Sequence, residues 1–110
     1  MTSDALASRC EELRQPVLDL VEIGILATMK PSAVPQLAER IEAVRSVLAA
    51  GTAGIDEQAY LDWHPIGVAT LHRMDAAARA GDAAGAWALL KDPNIGFNPL
   101  GEACQGVPGW

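Results

Sequence analysis

Three apolar-periodic stretches of this chain end at turn signals, Lys30-Pro31-Ser32, Gly51-Thr52-Ala53-Gly54 and Gly81-Asp82, and a fourth ends at Asp92-Pro93. Proline cannot continue a helix interior, and glycine reaches the left-handed backbone that closes one, so each signal marks a place where a helix stops. Between the signals, apolar residues recur at the three- and four-residue spacing of an amphipathic helix. Short turns make consecutive helices antiparallel neighbours. The spacing therefore predicts an all-α, antiparallel up-down-up-down four-helix bundle with an irregular C-terminal segment. Residues 1–110 read as one helical-bundle domain, with 106–110 as a non-helical tail.

Composition agrees with helices rather than a sheet. Half of the residues are apolar but aromatic ones make up only 5 %, whereas strands want aromatic and β-branched side chains. A chain of 110 residues can bury a single two-layer core. The net charge is −6, and the eight Lys and Arg are scattered from Arg9 to Lys91 without forming a stripe. No basic surface neutralises phosphates, so nucleic acid is not an expected partner. Neither is a membrane, because the longest apolar patch, 17–29, is interrupted by Asp19 and Glu22 and falls short of a bilayer span. Met1-Thr2-Ser3-Asp4 starts acidic, without the basic and apolar regions of a secretory signal, and the expectation is a cytoplasmic protein.

In the first helix Leu6, Cys10, Leu13, Val17, Leu20, Gly24 and Ala27 form a seam, with Glu11, Gln15, Asp19 and Glu22 on the opposite, solvated face. Pro16 lies inside the pattern and predicts a kink or break. Ser32 is the expected N-cap of the second helix, whose buried stripe is Val34, Leu37, Ile41, Val44 and Leu48. Asp56 is the expected N-cap of the third, with Tyr60, His64, Gly67, Leu71, Met74 and Ala78 on one face and Leu61 and Val68 beside them. Pro65 predicts an interruption there or a fresh helix start. Asp82 caps a fourth helix holding Ala83, Ala86, Trp87 and Leu90, and Asn98-Pro99 opens a short helix to about Cys104. The bundle topology brings the start of the first helix and the end of the fourth to one end. Cys10 and Cys104 are then compatible with a disulfide or with two separate buried thiols, the latter favoured in a reducing cytosol.

His64 is the sharpest single candidate for chemistry. It sits between Tyr60 and Gly67, next to Trp63, and the missing side chain at Gly67 leaves room for a ligand. Tyr60, Trp63, His64, Gly67, Leu71 and Met74 are thus the candidate ligand-binding set, suited to non-covalent haem, a tetrapyrrole or a small apolar molecule. The bland alternative is a half-buried histidine bonded to a backbone carbonyl that Pro65 leaves open. His72 and Asp75 stand three residues apart, but the chain has two histidines and no Glu-x-x-His, so no metal site is expected. There is no Gly-x-Ser-x-Gly elbow and no phosphate-binding glycine loop. Trp63, Trp87 and Trp110 are expected to cluster at one surface or to fill the core.

The run from Leu71-His72-Arg73-Met74-Asp75 through Ala80-Gly81-Asp82-Ala83-Ala84-Gly85-Ala86 resembles the third-to-fourth helix corner of cytochrome c′-like four-helix bundles. Ala103-Cys104-Gln105-Gly106 is similar to the start of that family's haem attachment, and Leu13-Arg14-Gln15-Pro16-Val17 to its first helix. Where the second cysteine and the proximal histidine would follow, this chain has Val107 and Pro108, so no covalent haem carries over. The resemblance implies the bundle topology, a ligand cavity and pairing through the first two helices.

Taken together, the residues point to a non-enzymatic bundle that forms a homodimer or docks on a protein partner. The apolar surplus, an available Trp110 and the lack of a catalytic constellation motivate this expectation, with 17–29 as the contact region. The alternatives are a ligand-binding or sensor bundle built on His64, and a small helical enzyme in which His64, His72 and Asp75 line one cavity.

Overall fold

A computed structural model describes residues 2–110, which are helical and contain no strand. Helix α1 spans Asp4–Met29, a 3₁₀ turn at Pro31–Ala33 leads into α2 (Val34–Leu48), and α3 spans Gln58–Arg79. Two shorter helices follow, α4 (Ala83–Lys91) and α5 (Asn98–Ala103). Helix α1 packs on α2 and α4, while α3 packs on α2, α4 and α5. The body measures 42 × 23 × 23 Å. Its long axis is that of α1, whose 26 residues span about 39 Å at the α-helical rise.

All seven seam residues of α1, Leu6 through Ala27, are buried. They join Leu37, Ile41, Val44 and Leu48 of α2 and Tyr60, Trp63, Leu71 and Met74 of α3 in one core. Gly24 belongs to the seam because a Cβ there would meet the Trp87 ring at 3.1 Å. Gly51 and Gly81 end α2 and α3 with φ of 82° and 77°, the left-handed backbone that closes a helix at least cost in glycine.

Asp82 caps α4 as expected, accepting from Gly85 N–H at 2.9 Å, but the starts of α2 and α3 depart from expectation. Ser32 does not cap α2; it lies inside the 3₁₀ turn, and the N-cap Ala33 offers no side-chain bond. Asp56 does not cap α3 either. The N-cap is Glu57, whose carboxylate reaches across to α1, accepting from the Ser3 backbone N–H at 2.6 Å and Oγ at 2.8 Å. Ser3 Oγ in turn accepts from Leu6 N and caps α1, so the two helix starts are tied by one carboxylate. Pro16 and Pro65 break nothing: α1 and α3 run through them. Both lie away from the core, Pro65 exposed and Pro16 half-buried, where a carbonyl without its helical partner can be hydrated. Val68 is exposed rather than part of the buried stripe.

The C-terminal third is held by side chains of α3 and α1. Trp63 Nε1 donates to Gly96 O at 2.9 Å, and Thr70 Oγ1 to Ile95 O at 2.6 Å. Asp92 closes the turn after α4 by accepting from the backbone N–H groups of Asn94 and Ile95, and Phe97 meets Trp63 edge-on with ring centroids 5.5 Å apart. A disulfide joins Cys10 to Cys104, Cα atoms 5.8 Å apart, and both cysteines are fully buried. The tail 106–110 is non-helical and folds onto α1: Trp110 Nε1 donates to Cys10 O and Arg14 Nη1 to Pro108 O. Trp110 is therefore half-buried instead of free. The three tryptophans do not cluster, with Trp63 in the core, Trp87 against Gly24 and Trp110 against Cys10.

The disulfide joins residues 94 apart in sequence, a long loop whose closure restricts the unfolded chain. Replacing both cysteines, Cys10→Ala with Cys104→Ala, is expected to cost about 2–5 kcal/mol of unfolding free energy, read from the shift of the urea midpoint.

Candidate functional site

One candidate site lies where α1 and α3 begin. Arg9 sits between Leu6 and Leu13 on the inward face of α1, three residues after one and four before the other, and is 8 % exposed. Its Nη1 donates to Gly51 O just past the end of α2, at 2.6 Å, and to Tyr60 Oη of α3, at 3.0 Å. The guanidinium carbon stands 5.9 Å from the Tyr60 ring centroid. No carboxylate pairs with Arg9 among the described residues, and its buried Nε has no partner. The charge is balanced by a phenol oxygen, a ring face and a carbonyl beyond a helix C-terminus, where partial negative charge collects.

His64 lies one turn further along α3, half-buried, with Nδ1 3.1 Å from Tyr60 Oη. Arg9 can only donate, so the Tyr60 oxygen accepts from it and the phenol hydrogen is free for His64 Nδ1. In the neutral tautomer of His64 with its proton on Nε2, Nδ1 accepts that hydrogen. Burial first, then the nearby Arg9 charge, holds the His64 pKa below its ordinary 6.5. Burial also raises Tyr60 above 10.0, with the Arg9 hydrogen bond opposing. The trio is a chain of hydrogen bonds with one buried cation at its inner end.

The remaining members of the candidate ligand set are core. Tyr60, Trp63, Leu71 and Met74 are fully buried. The room expected at Gly67 is occupied by Trp63: a Cβ on Gly67 would lie 2.5 Å from its Cζ2. The nearest cavity, about 170 Å³ between α2 and α3, takes in Leu71 but not His64; Arg45, Leu48, Ala49 and Val68 complete its lining. The expected cavity of His64, His72 and Asp75 does not form. His72 is exposed, while Asp75 binds Arg79 at 2.8 Å and faces Arg45 at 3.7 Å. Among the described residues, no three His, Cys, Asp or Glu side chains gather as metal ligands.

A second candidate is a surface. Among the described residues five large apolar side chains are exposed, and three of them, Leu18, Ile25 and Met29, lie on α1 at 54 %, 44 % and 69 %. Seven and four residues apart, they form one outward stripe opposite the buried seam. Sequence reasoning located the 17–29 region and missed Arg9, whose signal was its place inside the seam's own spacing.

His64 should give the fold a measurable acid sensitivity. Below its unfolded value of 6.5 the unfolded chain binds a proton that the folded state resists, so stability falls as pH drops. Glu57 and Asp92 are held below 4.5 and 3.8 by the backbone N–H groups they accept, so they act in the same direction but at lower pH. Urea midpoints measured from pH 7.5 down to about 5 should decline for the wild type and stay nearly level for His64→Gln. Gly67→Ala should lose about 1–3 kcal/mol by overpacking against Trp63, where an ordinary helix interior would gain about 0.5–1 kcal/mol. Thermal unfolding gives the sign directly. No protein-family model, curated protein or solved structure matches this chain.

Proposed function

We propose that this protein is a non-enzymatic docking module, an antiparallel helical bundle that presents the outer face of α1 to another protein chain. The observation that carries the reading is the exposed Leu18, Ile25 and Met29 stripe. Solvent-facing apolar residues scattered singly need no explanation, but three aligned on one helix face mark a contact surface. Two further features support it. The space beside Gly67 is filled by Trp63, and the helices that pack most on α1 are α2 and α4, while Leu18, Ile25 and Met29 stay exposed. The Cys10–Cys104 disulfide supports an oxidising working compartment over the expected cytosol.

Photo-crosslinking in the source cells tests this. A benzophenone amino acid at position 25 should give a discrete adduct with another chain, and the same group at exposed position 39 of α2 should not. Adducts at neither position, or at both alike, overturn the reading. The adduct's mass distinguishes a second copy from a different protein.

A further inference from the structure

The docking reading leaves the partner's chemistry open, and the charges beside the stripe narrow it. Glu22 is exposed between Leu18 and Ile25 on the same face of α1. Among the described residues the acids in ion pairs are Glu11, Glu42 and Asp75, which leaves Glu22 without a cation. Asp19 flanks the stripe with only the Gln15 amide donating to it. Arg14, the surface cation of α1, is engaged by Glu11 and by Pro108 O. The stripe is therefore apolar along its length and acidic at its edge, and exposed Lys30, the C-cap after Met29, stands unpaired at its C-terminal end among the described residues.

That pattern disfavours a second copy. Pairing two α1 helices in parallel sets Glu22 against Glu22. Pairing them antiparallel with Leu18 against Met29 still brings the two Glu22 residues within one turn of each other along the seam, between chains that each carry −6. Lys30 at each end of the seam, near the other chain's Asp19, offsets part of that repulsion without reaching the central Glu22 pair. An anionic lipid surface meets the same repulsion. The complementary surface is a helix with its own apolar stripe and with cations alongside.

Resting on the docking reading, we infer that the α1 stripe takes an amphipathic helix of a protein partner whose apolar residues lie against Leu18, Ile25 and Met29 and whose Lys or Arg side chains reach Glu22 and Asp19. Unbranched, polarisable Met29 at the most exposed position suits a surface that adapts to its neighbour. Helix-on-helix docking of this kind reads partners through apolar anchors spaced three and four residues apart.

The test uses two fluorescein-labelled helical peptides with identical leucine stripes, one flanked by lysines and its twin flanked by glutamates, titrated by anisotropy against the intact disulfide-bonded protein. The lysine peptide should bind at least about tenfold tighter than its twin, with the advantage shrinking as salt rises. Glu22→Lys should erase or invert that preference. Ile25→Ser with Met29→Ser should weaken both peptides at least tenfold, with helical content and melting temperature unchanged. Equal binding of the twins overturns the charge inference and leaves the docking reading standing. If neither peptide binds while sedimentation shows self-association that Ile25→Ser abolishes, the occupant is a second copy and the inference fails. If neither peptide binds and the protein stays monomeric, the inference and the docking reading both fall.

Discussion

A guanidinium buried without a carboxylate is the constraint around which one end of this bundle is built. Desolvating a cation costs several kcal/mol unless its hydrogens find acceptors in good geometry. Arg9 finds a carbonyl at Gly51 and a phenol at Tyr60, and each requirement fixes a piece of backbone. Gly51 must present its carbonyl just beyond α2, which sets how the chain leaves that helix. Tyr60 must sit in the first turn of α3, which sets where that helix begins relative to α1. Glu57 then closes the same corner from the outside by accepting from Ser3. Three helix ends thus meet through polar bonds that have few alternative partners, and such bonds specify a unique arrangement better than apolar contact alone.

The same corner is stapled covalently. Cys10 follows Arg9 directly, so the residue that anchors α1 to α3 adjoins the residue that anchors it to Cys104. Trp110 completes the arrangement by donating to the Cys10 carbonyl. α5 has only six residues, too few to be stable on its own helical propensity. Its position depends on the disulfide, on buried Leu100 and on the segment before it, which Trp63 and Thr70 hold from α3. The chain's two ends therefore share a scaffold at Cys10, and the C-terminal third lies against α1 and α3.

The seam of α1 was fully legible because its spacing is unbroken and its residues are small or aliphatic. The turn glycines were legible for the same kind of reason, since a positive φ has few occupants. What could not be read were interactions whose two halves lie far apart in sequence. Ser32 and Asp56 are good caps by local rules, yet α2 and α3 start without a side-chain cap bond, and the carboxylate of Glu57 instead ties the start of α3 to Ser3, 54 residues away. Arg9 fits the seam by position but not by residue type, and only the arrival of Tyr60 and Gly51 makes its burial tolerable. The gap at Gly67 was real in the sequence, but it belongs to Trp63, four residues back on the same helix, rather than to a ligand.

The 17–29 segment carries two apolar surfaces, and one of them is already used. Val17, Leu20, Gly24 and Ala27 face the core, while Leu18, Ile25 and Met29 face away. A helix that is apolar on one face needs one neighbour layer, and a helix apolar on both needs two. The bundle supplies the first through α2 and α4, and its outer helices stop there. Leaving the second surface to water brings no folding benefit that polar residues would not equal, because the seam, Arg9, Ser3 and the disulfide already anchor α1 from its inner side and its start. On the docking proposal its acids fit the same logic: Glu22 among apolar neighbours would set like charges against each other in a pair of identical chains, and a partner bringing cations would turn that repulsion into recognition. The fold of this chain therefore accounts for the seam of α1 and not for its outer face, and it is this face that the docking proposal assigns to a partner.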